Sequence, residues 1–500
     1  MKRNNDKIRW EILETQIQFF HQYGLDNPER LIGESRVIKE GHKRAVYRHR
    51  DNTFYIKRMP PRKARKEWRN WKGLYEKGLD TITPVAMGIS RDYGYLISVA
   101  HHDWPGLYEV FDRATHRERV CLLQKLGQVI RTLHSAGFYH GDLHGGNFLG
   151  RLSGSQADVK MVDFQRGRFC KLSHKKRLTN LADVALSRFF ELGISERLAF
   201  LDGYLGDSLA ALDFMRREGQ QLEKLILKYS SRAAHRKVKK FRKVNKYFDR
   251  LIVQTPFYRG VYLKKNIDTI PPDFLSAPLD FLYRNDIKVL KDSRSVRVAR
   301  HHDVCIKYYK RRTPRDVLKG WIGLSKGKKS FRWALSLTHR QISTPEPICY
   351  LDGRKGDTFY LSRFIHSTRN LATYLQEASQ SKRQACLRSL ALFLKHMFYR
   401  GVYHLDLKGS NILVKPMDRD VDLCLIDTDE VAICWNGSHR LLKKSLLRIT
   451  RALSHHFSRR ELVAFVELSL AGLPTSMGMA ITPEDLVAEA LKIEEAREPI

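Results

Sequence analysis

An internal repeat constrains the fold of this chain more than any other feature of its sequence. Residues 136–149 read AGFYHGDLHGGNFL, and residues 400–413 read RGVYHLDLKGSNIL, which is an offset of 264 positions. The same offset relates Asp163 in KMVDFQ to Asp427 in CLIDTDE. A collinear series of matches indicates that one structural unit occurs twice, so we infer a gene duplication.

The duplication and the length together predict the domain organisation. The chain has 500 residues, which is too long for a single hydrophobic core. A Pro-Pro pair at 271–272 lies between the two copies and is typical of a linker. The predicted parts are an N-terminal helical extension over 1–30, a first unit over 31–250, a linker over 251–277 and a second unit over 278–495.

Each unit is predicted to begin with a short β-meander and to continue as helices. Short runs of β-branched and aromatic residues between turn residues are typical of strands. The apolar spacing then changes to the period of a helix over 120–135 and over 384–399, directly before the repeated motif. The fold class is therefore α+β. The predicted strands are 37–39, 45–47 and 54–57 in the first unit and 287–290, 296–298 and 304–307 in the second.

The repeated motif carries the residue types that phosphoryl transfer needs. That reaction requires a base near the acceptor hydroxyl, ligands for Mg²⁺ and a cation on the nucleotide phosphates. Asp142 is the candidate base, and Asn147 and Asp163 are the candidate Mg²⁺ ligands at the spacing of a kinase catalytic loop. Lys57 is the candidate cation for the α- and β-phosphates of ATP, with Glu67 as its partner on a helix.

The second copy supplies the same roles from its own positions. Asp406 is the candidate base, and Asn411 and Asp427 are the candidate Mg²⁺ ligands. Lys307 ends a predicted strand, as Lys57 does, and is the candidate cation for the phosphates. The sequence therefore predicts two complete sets of catalytic residues.

The two copies differ around the nucleotide. Ser330 stands in the place that corresponds to Glu67, and no acid other than Asp316 lies nearby in the sequence. We therefore expect Lys307 to lack an ion-pair partner and the second unit to transfer phosphate more slowly. The glycine-rich loop of protein kinases is reduced to Gly41 in the first unit, which is its candidate nucleotide-binding glycine, and is absent from the second.

A purely structural interpretation of the motif has to be weighed against the catalytic one. An HxD sequence alone is common, and it is usually a loop carboxylate that caps a turn. The Asn five residues after the Asp and the Asp about 20 residues further on favour a kinase, and the whole set occurs twice. We interpret His140 and His404 as structural residues that connect the loop to the metal-binding strand.

The motifs HGDLHGGN…VDFQ and HLDLKGSN…IDTDE resemble those of the protein-kinase-like superfamily. Within it they are most similar to the Kdo/WaaP family of lipopolysaccharide core kinases. The second unit resembles that family more closely, with LKDSRSVRVARHHDVCIKYYKRR, STPEPICYL, HLDLKGSNILV and LIDTDEV in the family's order. In the first unit, EWRN at 67–70 precedes TITPVAMG at 81–88. The resemblance covers most of the chain.

The resemblance implies two tandem protein-kinase-like bilobal domains that use ATP and Mg²⁺. It implies phosphorylation of heptose or Kdo in the lipopolysaccharide inner core, with the core and lipid A glycolipid as partner. Three alternatives stay open: a protein or other small-molecule kinase of the same superfamily, a scaffold that binds nucleotide or lipid without turnover, and a kinase that binds nucleic acid. The absence of an RNA-binding signature or an aromatic–basic stripe argues against nucleic acid.

The charge of the chain predicts a polyanionic partner. It has 90 Lys and Arg against 54 Asp and Glu, a formal net charge of +36. Nucleic acid, an anionic membrane or a phosphorylated glycolipid would each fit this charge. Nine basic residues fall in 232–250 and eleven in 307–340. The basic amphipathic pattern over 439–453 is typical both of a helix on a membrane surface and of an ordinary packing helix.

The sequence predicts neither a membrane span nor a signal peptide. No run of 18 apolar residues occurs without charges, and no apolar segment follows the charged N-terminus. The seven cysteines are scattered without CxxC spacing, which favours a reduced cytosol over a disulfide framework. We therefore expect a cytoplasmic protein that associates peripherally with the cytoplasmic face of the inner membrane.

Overall fold

The computed structural model describes residues 8–41, 43–154, 156–185, 192–253, 257–417, 420–434, 437–473 and 481–496. The chain divides into two compact units, Met1–Tyr229 and Ser230–Ile500. The division falls within one long helix, so the end of that helix belongs to the second unit.

The first unit has a six-stranded antiparallel sheet followed by a helical lobe. The strand order is β1-β5-β6-β4-β3-β2. Its strands are β1 (Arg9–Ile12), β2 (Ser35–Gly41), β3 (Arg44–His49), β4 (Phe54–Met59), β5 (Pro84–Ile89), β6 (Gly94–Val99), β7 (Phe138–Tyr139), β8 (Phe148–Ser153), β9 (Gln156–Met161) and β10 (Arg168–Phe169). Its helices are α1 (Ile17–Gln22), α2 (Pro28–Gly33), α3 (Pro61–Tyr75), α4 (Leu107–Arg113), α5 (His116–Ser135), α6 (His174–Ala185), α7 (Ile194–Leu205) and α8 (Ser208–Lys239).

The second unit repeats this plan with a seven-stranded antiparallel sheet in the order β11-β12-β16-β17-β15-β14-β13. Its strands are β11 (Phe248–Val253), β12 (Tyr258–Leu263), β13 (Lys288–Asp292), β14 (Val296–His301), β15 (Val304–Tyr309), β16 (Pro347–Gly353), β17 (Thr358–Arg363), β18 (Arg369–Asn370), β19 (Val402–His404), β20 (Ile412–Pro416), β21 (Val421–Leu425) and β22 (Val431–Ile433). Its helices are α9 (Pro272–Ser276), α10 (Pro278–Phe281), α11 (Pro314–Trp321), α12 (Lys326–Thr338), α13 (Leu371–Glu377), α14 (Gln380–Tyr399), α15 (His439–Leu453), α16 (Arg459–Leu470) and α17 (Pro483–Glu495).

Five equivalent strands occur in the same order in both sheets. The order β5-β6-β4-β3-β2 in the first unit corresponds to β16-β17-β15-β14-β13 in the second. The equivalent lysines occupy equivalent positions, since Lys57 pairs with Leu96 and Lys307 with Tyr360. The predicted meanders and the helices before the motif are confirmed, and so is the α+β class with two kinase-like bilobal domains.

The edges of the two sheets differ from the predicted boundaries. Residues 1–30 were predicted to be helical, but they also contain β1, which pairs with β5. Trp10 of that strand lies opposite Gly88, where a Cβ would meet the indole ring at 2.7 Å. A glycine in the neighbouring strand therefore makes room for the strand that the sequence pattern did not reveal.

Residues 251–277, predicted as a linker, contain β12 and the second half of β11, which extend the second sheet. Gly260 lies opposite Leu351 of β16, and a Cβ on Gly260 would overlap the backbone carbonyl of Tyr350. The Pro pair at 271–272 leads into α9 and places a proline in its first turn. Backbone N–H groups in a first turn have no hydrogen-bond partner within the helix, so a proline there costs no helical hydrogen bond. The linker prediction is therefore corrected to an added hairpin and a short helix.

Two glycines bring α5 and α7 into close contact in the first unit. A Cβ on Gly203 would overlap the carbonyl oxygen of Gln124, and one on Gly127 would overlap that of Phe200. The other face of α5 packs into the core, where Ile130 is fully buried. Because α5 leads directly into β7 and the HxD loop, this packing sets the position of the loop.

Among the helices that the structure describes, none is both long and apolar enough to cross a membrane. The seven cysteines are all free.

Gly203→Ala should destabilise the first unit, because the added methyl has no space against the α5 backbone. Overpacking of this kind reduces the free energy of unfolding by about 1–3 kcal/mol. The matched control is Gly219→Ala in α8, where the nearest atom to an added Cβ is Met215 Sδ at 3.8 Å. Urea unfolding should show a lower midpoint for Gly203→Ala and an equal or higher one for Gly219→Ala. A wild-type midpoint for Gly203→Ala would contradict the close helix contact.

Candidate active site

In each unit, the HxD loop runs from a short strand into one turn of 3-10 helix. That turn is Gly145–Asn147 in the first unit and Gly409–Asn411 in the second. It turns the asparagine back, so that Asn147 Nδ2 donates to the backbone oxygen of Asp142 at 2.8 Å. Asn411 makes the same bond to Asp406, also at 2.8 Å. The amide nitrogen is therefore used within the loop, and the side-chain oxygen of each asparagine is the atom left for a ligand.

The second aspartate of each set lies beside this asparagine in a strained conformation. Val162 N donates to Asn147 O at 2.9 Å, directly before Asp163. Ile426 N and Asn411 O make the equivalent bond at 3.0 Å. Asp163 has φ +64° and Asp427 has φ +62°. A left-handed conformation is uncommon for a residue other than glycine, and its occurrence at both equivalent positions indicates a functional constraint.

In the first unit, Lys57 joins the small lobe to this loop. Its Nζ donates to Glu67 Oε1 at 2.6 Å and lies 3.4 Å from Asp163 Oδ1. Glu67 projects from α3 and is 3% exposed. The structure therefore brings together the predicted Lys57–Glu67 pair and one predicted metal ligand.

In the second unit, Lys307 has two carboxylate partners, and the expectation that it lacks one is wrong. Its Nζ donates to Asp427 Oδ1 in a short contact and to Asp429 Oδ1 at 3.3 Å. Asp429 is buried, like Glu67, but it follows β21 instead of lying on the helix. The sequence did not identify Asp429 as the partner, because the acid was expected on α12. Asp429 lies about 100 residues after that helix.

Ser330, which replaces Glu67 on the helix, takes part in the same network. Its hydroxyl lies 2.7 Å from that of Tyr309, and the Tyr309 hydroxyl donates to Asp429 Oδ1 at 3.2 Å. The backbone oxygen of Ser330 accepts from Thr428 at 3.0 Å. The helix therefore supports the acid that pairs with Lys307, although it does not supply that acid.

Burial and the lysine charge determine the protonation of these carboxylates. Burial raises the pKa of Glu67, and Lys57 only partly offsets that rise. Burial also raises the pKa of Asp163, but the Lys57 charge and hydrogen bond outweigh it and leave the pKa below its usual range. In the second unit, the pKa of Asp427 is lowered by its hydrogen bonds and by Lys307 in spite of burial, while burial beside Asp427 raises that of Asp429.

Basic side chains contact both candidate bases. None of these side chains was assigned to the candidate bases from the sequence. Arg166 NH1 lies 3.1 Å from Asp142 Oδ1. Asp406 is contacted by Arg448 in a short ion pair and by Lys408 Nζ at 3.1 Å. Arg448 lies on α15, whose apolar side chains are buried in the large-lobe core. The 439–453 segment is therefore a packing helix that presents an arginine to the second site.

The histidines of the two loops are buried and neutral. His404 Nε2 donates to the backbone oxygen of Asp427 at 3.1 Å, and its Nδ1 accepts from Asp406 N at 3.3 Å. Burial lowers the pKa of His140 to about 4 and lowers that of His404 as well. His404 thus connects the loop to the metal-site aspartate, as interpreted from the sequence.

Gly41 is the last residue of β2 and pairs with Arg44 of β3. A Cβ there would meet only Arg44 O at 3.7 Å, which is an ordinary contact. Its role at the nucleotide stays a prediction, and the local backbone does not require a glycine.

The acidic groups near each loop fit a Mg²⁺ ion that is bound together with a nucleotide. Mg²⁺ is held by one or two carboxylates plus substrate phosphates rather than by a cage of protein ligands. Within the described ranges, no group of three or more His, Cys, Asp or Glu side chains is arranged to hold a metal. Asp163 with Asn147, and Asp427 with Asn411, offer one carboxylate and one amide oxygen each, which suits that mode.

A family model described as the lipopolysaccharide kinase (Kdo/WaaP) family matches residues 29–204 and 291–468. The chain is similar to a solved structure of WaaP in complex with acyl carrier protein, at 21% identity and a TM-score of 0.35, over 43% of this chain and 99% of that one. It is also similar to the bifunctional kinase-methyltransferase WbdD, at 14% identity and a TM-score of 0.25, over 33% of this chain and 42% of that one. A WbdD structure with a kinase inhibitor is 16% identical with a TM-score of 0.28, over 42% and 45%. No curated protein sequence matches this chain.

Lys57→Met should destabilise the first unit at neutral and alkaline pH, because it leaves Glu67 buried without a cation. Removing one partner of a buried pair costs about 3 kcal/mol. Glu67 already has a raised pKa in the folded chain, and the loss of Lys57 raises it further. A raised folded-state pKa means that stability is retained at low pH and lost as the pH rises through that pKa.

The difference in unfolding free energy between wild type and Lys57→Met should therefore be larger at pH 8 than at pH 5. Lys57→Met/Glu67→Gln is the control, since it has no buried carboxylate left to titrate and should recover much of the loss at pH 8. A deficit in Lys57→Met that does not change with pH would contradict the account.

Proposed function

The chain belongs to the lipopolysaccharide kinase (Kdo/WaaP) family, and we propose that it phosphorylates a heptose or Kdo hydroxyl in the inner core of lipopolysaccharide. The family match covers a segment of each unit, and the chain is a kinase that transfers phosphate to an alcohol group. The proposal depends most on one observation. A buried acid, a lysine, an HxD loop and a left-handed aspartate recur together in both units.

Lys57 and Lys307 hold the α- and β-phosphates of ATP in this proposal. A lysine that is oriented by a buried carboxylate presents a fixed positive charge, so the nucleotide is aligned with little reorganisation. Glu67 and Asp429 are the orienting acids. Gly41, at the end of β2, is proposed to lie over the phosphates in the first unit.

Asp142 and Asp406 are proposed as the bases. Each would accept the proton of the acceptor hydroxyl as the sugar oxygen forms its bond to the γ-phosphorus and the bond to ADP breaks. Arg166 near Asp142, and Lys408 with Arg448 near Asp406, would offset the negative charge that gathers between base and phosphoryl group.

Asn147 and Asp163, or Asn411 and Asp427, are the proposed Mg²⁺ ligands. A bound Mg²⁺ would neutralise charge on the β- and γ-phosphate oxygens. The backbone bonds between the asparagine and the residue before the aspartate keep the two ligands of each site adjacent. The short contact between Lys307 and Asp427 would have to open for metal to bind, and Asp429 is positioned to receive the lysine.

The charge of the chain supports an anionic glycolipid as acceptor and an anionic surface as its place of action. The net charge is +36, and each basic side chain near an anionic surface contributes about 1 kcal/mol. We propose that the kinase acts on the core and lipid A glycolipid at the cytoplasmic face of the inner membrane, bound peripherally. Phosphate analysis of lipopolysaccharide from cells with and without this gene tests the acceptor. Unchanged core phosphate would exclude it.

Both units are proposed to transfer phosphate. The second unit was expected to be slower because Lys307 was expected to lack an acidic partner, and Asp429 is such a partner. Asp142→Asn and Asp406→Asn should each remove the activity of one unit, and loss of a general base lowers a rate by roughly 10²–10⁴-fold. The measurement is ATP-dependent phosphate transfer to purified core lipopolysaccharide. The double variant should be inactive. Full activity in the double variant would rule out these bases.

Asp429→Asn should impair the second unit, because it removes the charge that orients Lys307 and keeps a similar shape. Misplacement of a positioning group by about 1 Å can cost roughly 10²-fold in rate. The test uses the Asp142→Asn background, in which only the second unit turns over. Asp422→Asn is the control, because Asp422 is the exposed residue of the otherwise buried strand β21. Equal rates for the Asp429 and Asp422 variants would show that something else orients Lys307.

A further inference from the structure

A cavity lies on the small lobe of the second unit, apart from the HxD loop. Its volume is about 830 Å³, and it lies between the start of α12, the segment before it, β15 and the 3-10 turn Lys240–Arg242. Its lining does not include Lys307, Asp406, Asn411 or Asp427. The volume is within the range of small-molecule sites and is far larger than one phosphate group needs.

The charged residues that line the cavity are all basic except one. One acid, Asp316, lines it, and its carboxylate already accepts the backbone N–H groups of Arg312 and Thr313 at 3.0 and 2.9 Å. The basic residues around the cavity are Arg242, Lys310, Arg312, Lys326, Lys328, Lys329 and Arg332. Six of these seven come from the basic run over 307–340, of which the phosphoryl-transfer site uses only Lys307.

Most of these cations form no ion pair with another described residue. Lys310 pairs with Asp292 at 2.6 Å. In the part of the chain that the structure describes, the side chains of Lys328, Lys329, Arg332 and Arg242 form no ion pair. Burial lowers the pKa of Lys328; the nearby carboxylate of Asp352 opposes that shift, and the charges of Arg242 and Arg332 add to it. An anion in the cavity would relieve this repulsion.

The position of the lysines contradicts the usual preference of a helix. Lys326, Lys328 and Lys329 all lie in the first turn of α12, and that turn has no acid. Cations are disfavoured there because the helix dipole is positive at its N-terminus. A sequence that departs from such a local preference, with no structural interaction to offset the cost, is expected at a functional site.

The ligand would be held by side chains and not by the helix backbone. Gly327 N already donates to Thr358 Oγ1 at 2.8 Å, and Lys328 N to Ser325 Oγ at 3.2 Å. Several separate ammonium and guanidinium groups around one cavity suit an anion with more than one charged group. Phe241, Trp333 and Leu324 give the same cavity an apolar wall.

We propose that this cavity binds a ligand that carries two or more phosphate groups, at a site separate from both nucleotide sites. The shared chemistry is a pyrophosphate or a closely spaced pair of phosphates. It comes either from a soluble molecule or from the headgroup of a phospholipid.

The first arm of the test titrates the full-length protein with pyrophosphate, without Mg²⁺ and at constant ionic strength. The readout is amide hydrogen exchange over residues 322–333, which reports on this cavity and not on the HxD loops. Pyrophosphate should slow exchange there in the wild type. Lys328→Gln/Arg332→Gln should bind about tenfold more weakly, because charge-assisted hydrogen bonds to phosphate are lost.

Two further variants control for the loss of charge and for misfolding. Arg459→Gln/Arg460→Gln removes the same charge from an exposed helix end of the same unit and should behave as the wild type. Arg312→Gln/Lys329→Gln changes only exposed side chains of the cavity, so it should fold normally and still lose affinity. No protection in the wild type, or an equal loss in the Arg459/Arg460 control, would overturn the proposal.

The second arm distinguishes the two sources of phosphate. Sedimentation with phosphatidylcholine vesicles that contain cardiolipin, whose headgroup carries two phosphates, is compared with vesicles that lack it. Loss of cardiolipin-dependent sedimentation in Lys328→Gln/Arg332→Gln, but not in the Arg459/Arg460 control, assigns a lipid headgroup. Loss of pyrophosphate binding alone assigns a soluble ligand. If the cavity variants lose neither, the proposal is wrong.

Discussion

A lysine ammonium that is held by a buried carboxylate is the interaction on which each unit depends. Lys57 lies 2.6 Å from Glu67 and 3.4 Å from Asp163, so it links the small lobe to the metal-site aspartate. Lys307 makes the same link through Asp429 and Asp427. A charge in this position needs a buried partner, since an isolated buried carboxylate or ammonium is strongly unfavourable. The pair therefore orders the lysine before any nucleotide binds.

The two copies meet this requirement with acids from different parts of the fold. In the first copy the acid is on α3, and in the second it follows β21 in the large lobe. Tyr309 donates its hydroxyl to Asp429, and the Ser330 hydroxyl is hydrogen-bonded to that of Tyr309. After duplication, the charge pair was thus retained although the residue that supplies it changed. A sequence comparison at the Glu67 position alone would suggest that the second unit had lost it.

The parts of the fold that follow from local patterns could be predicted from the sequence. The meanders have period-two runs, α5 and α14 have a clear helical period, and the HxD loop has fixed internal spacing. The pairing of Asn147 with Asp142 is a local contact of the same kind. Contacts between distant segments could not be predicted in this way. β1 depends on space at Gly88, the β11–β12 hairpin depends on the free edge of β16, and Asp429 reaches Lys307 from 122 residues away. The DTDE sequence after β21 contained the signal, because a second acid lies two residues after the metal-site aspartate.

The central claim is that one chain contains two assembled nucleotide sites. The most direct measurement is the number of non-hydrolysable ATP analogues that bind per chain in the presence of Mg²⁺, by native mass spectrometry of the full-length protein. The account predicts two, with one lost in Lys57→Met and the other lost in Lys307→Met. A wild-type protein that binds only one analogue at saturation, and that loses it in only one of these variants, would contradict the account.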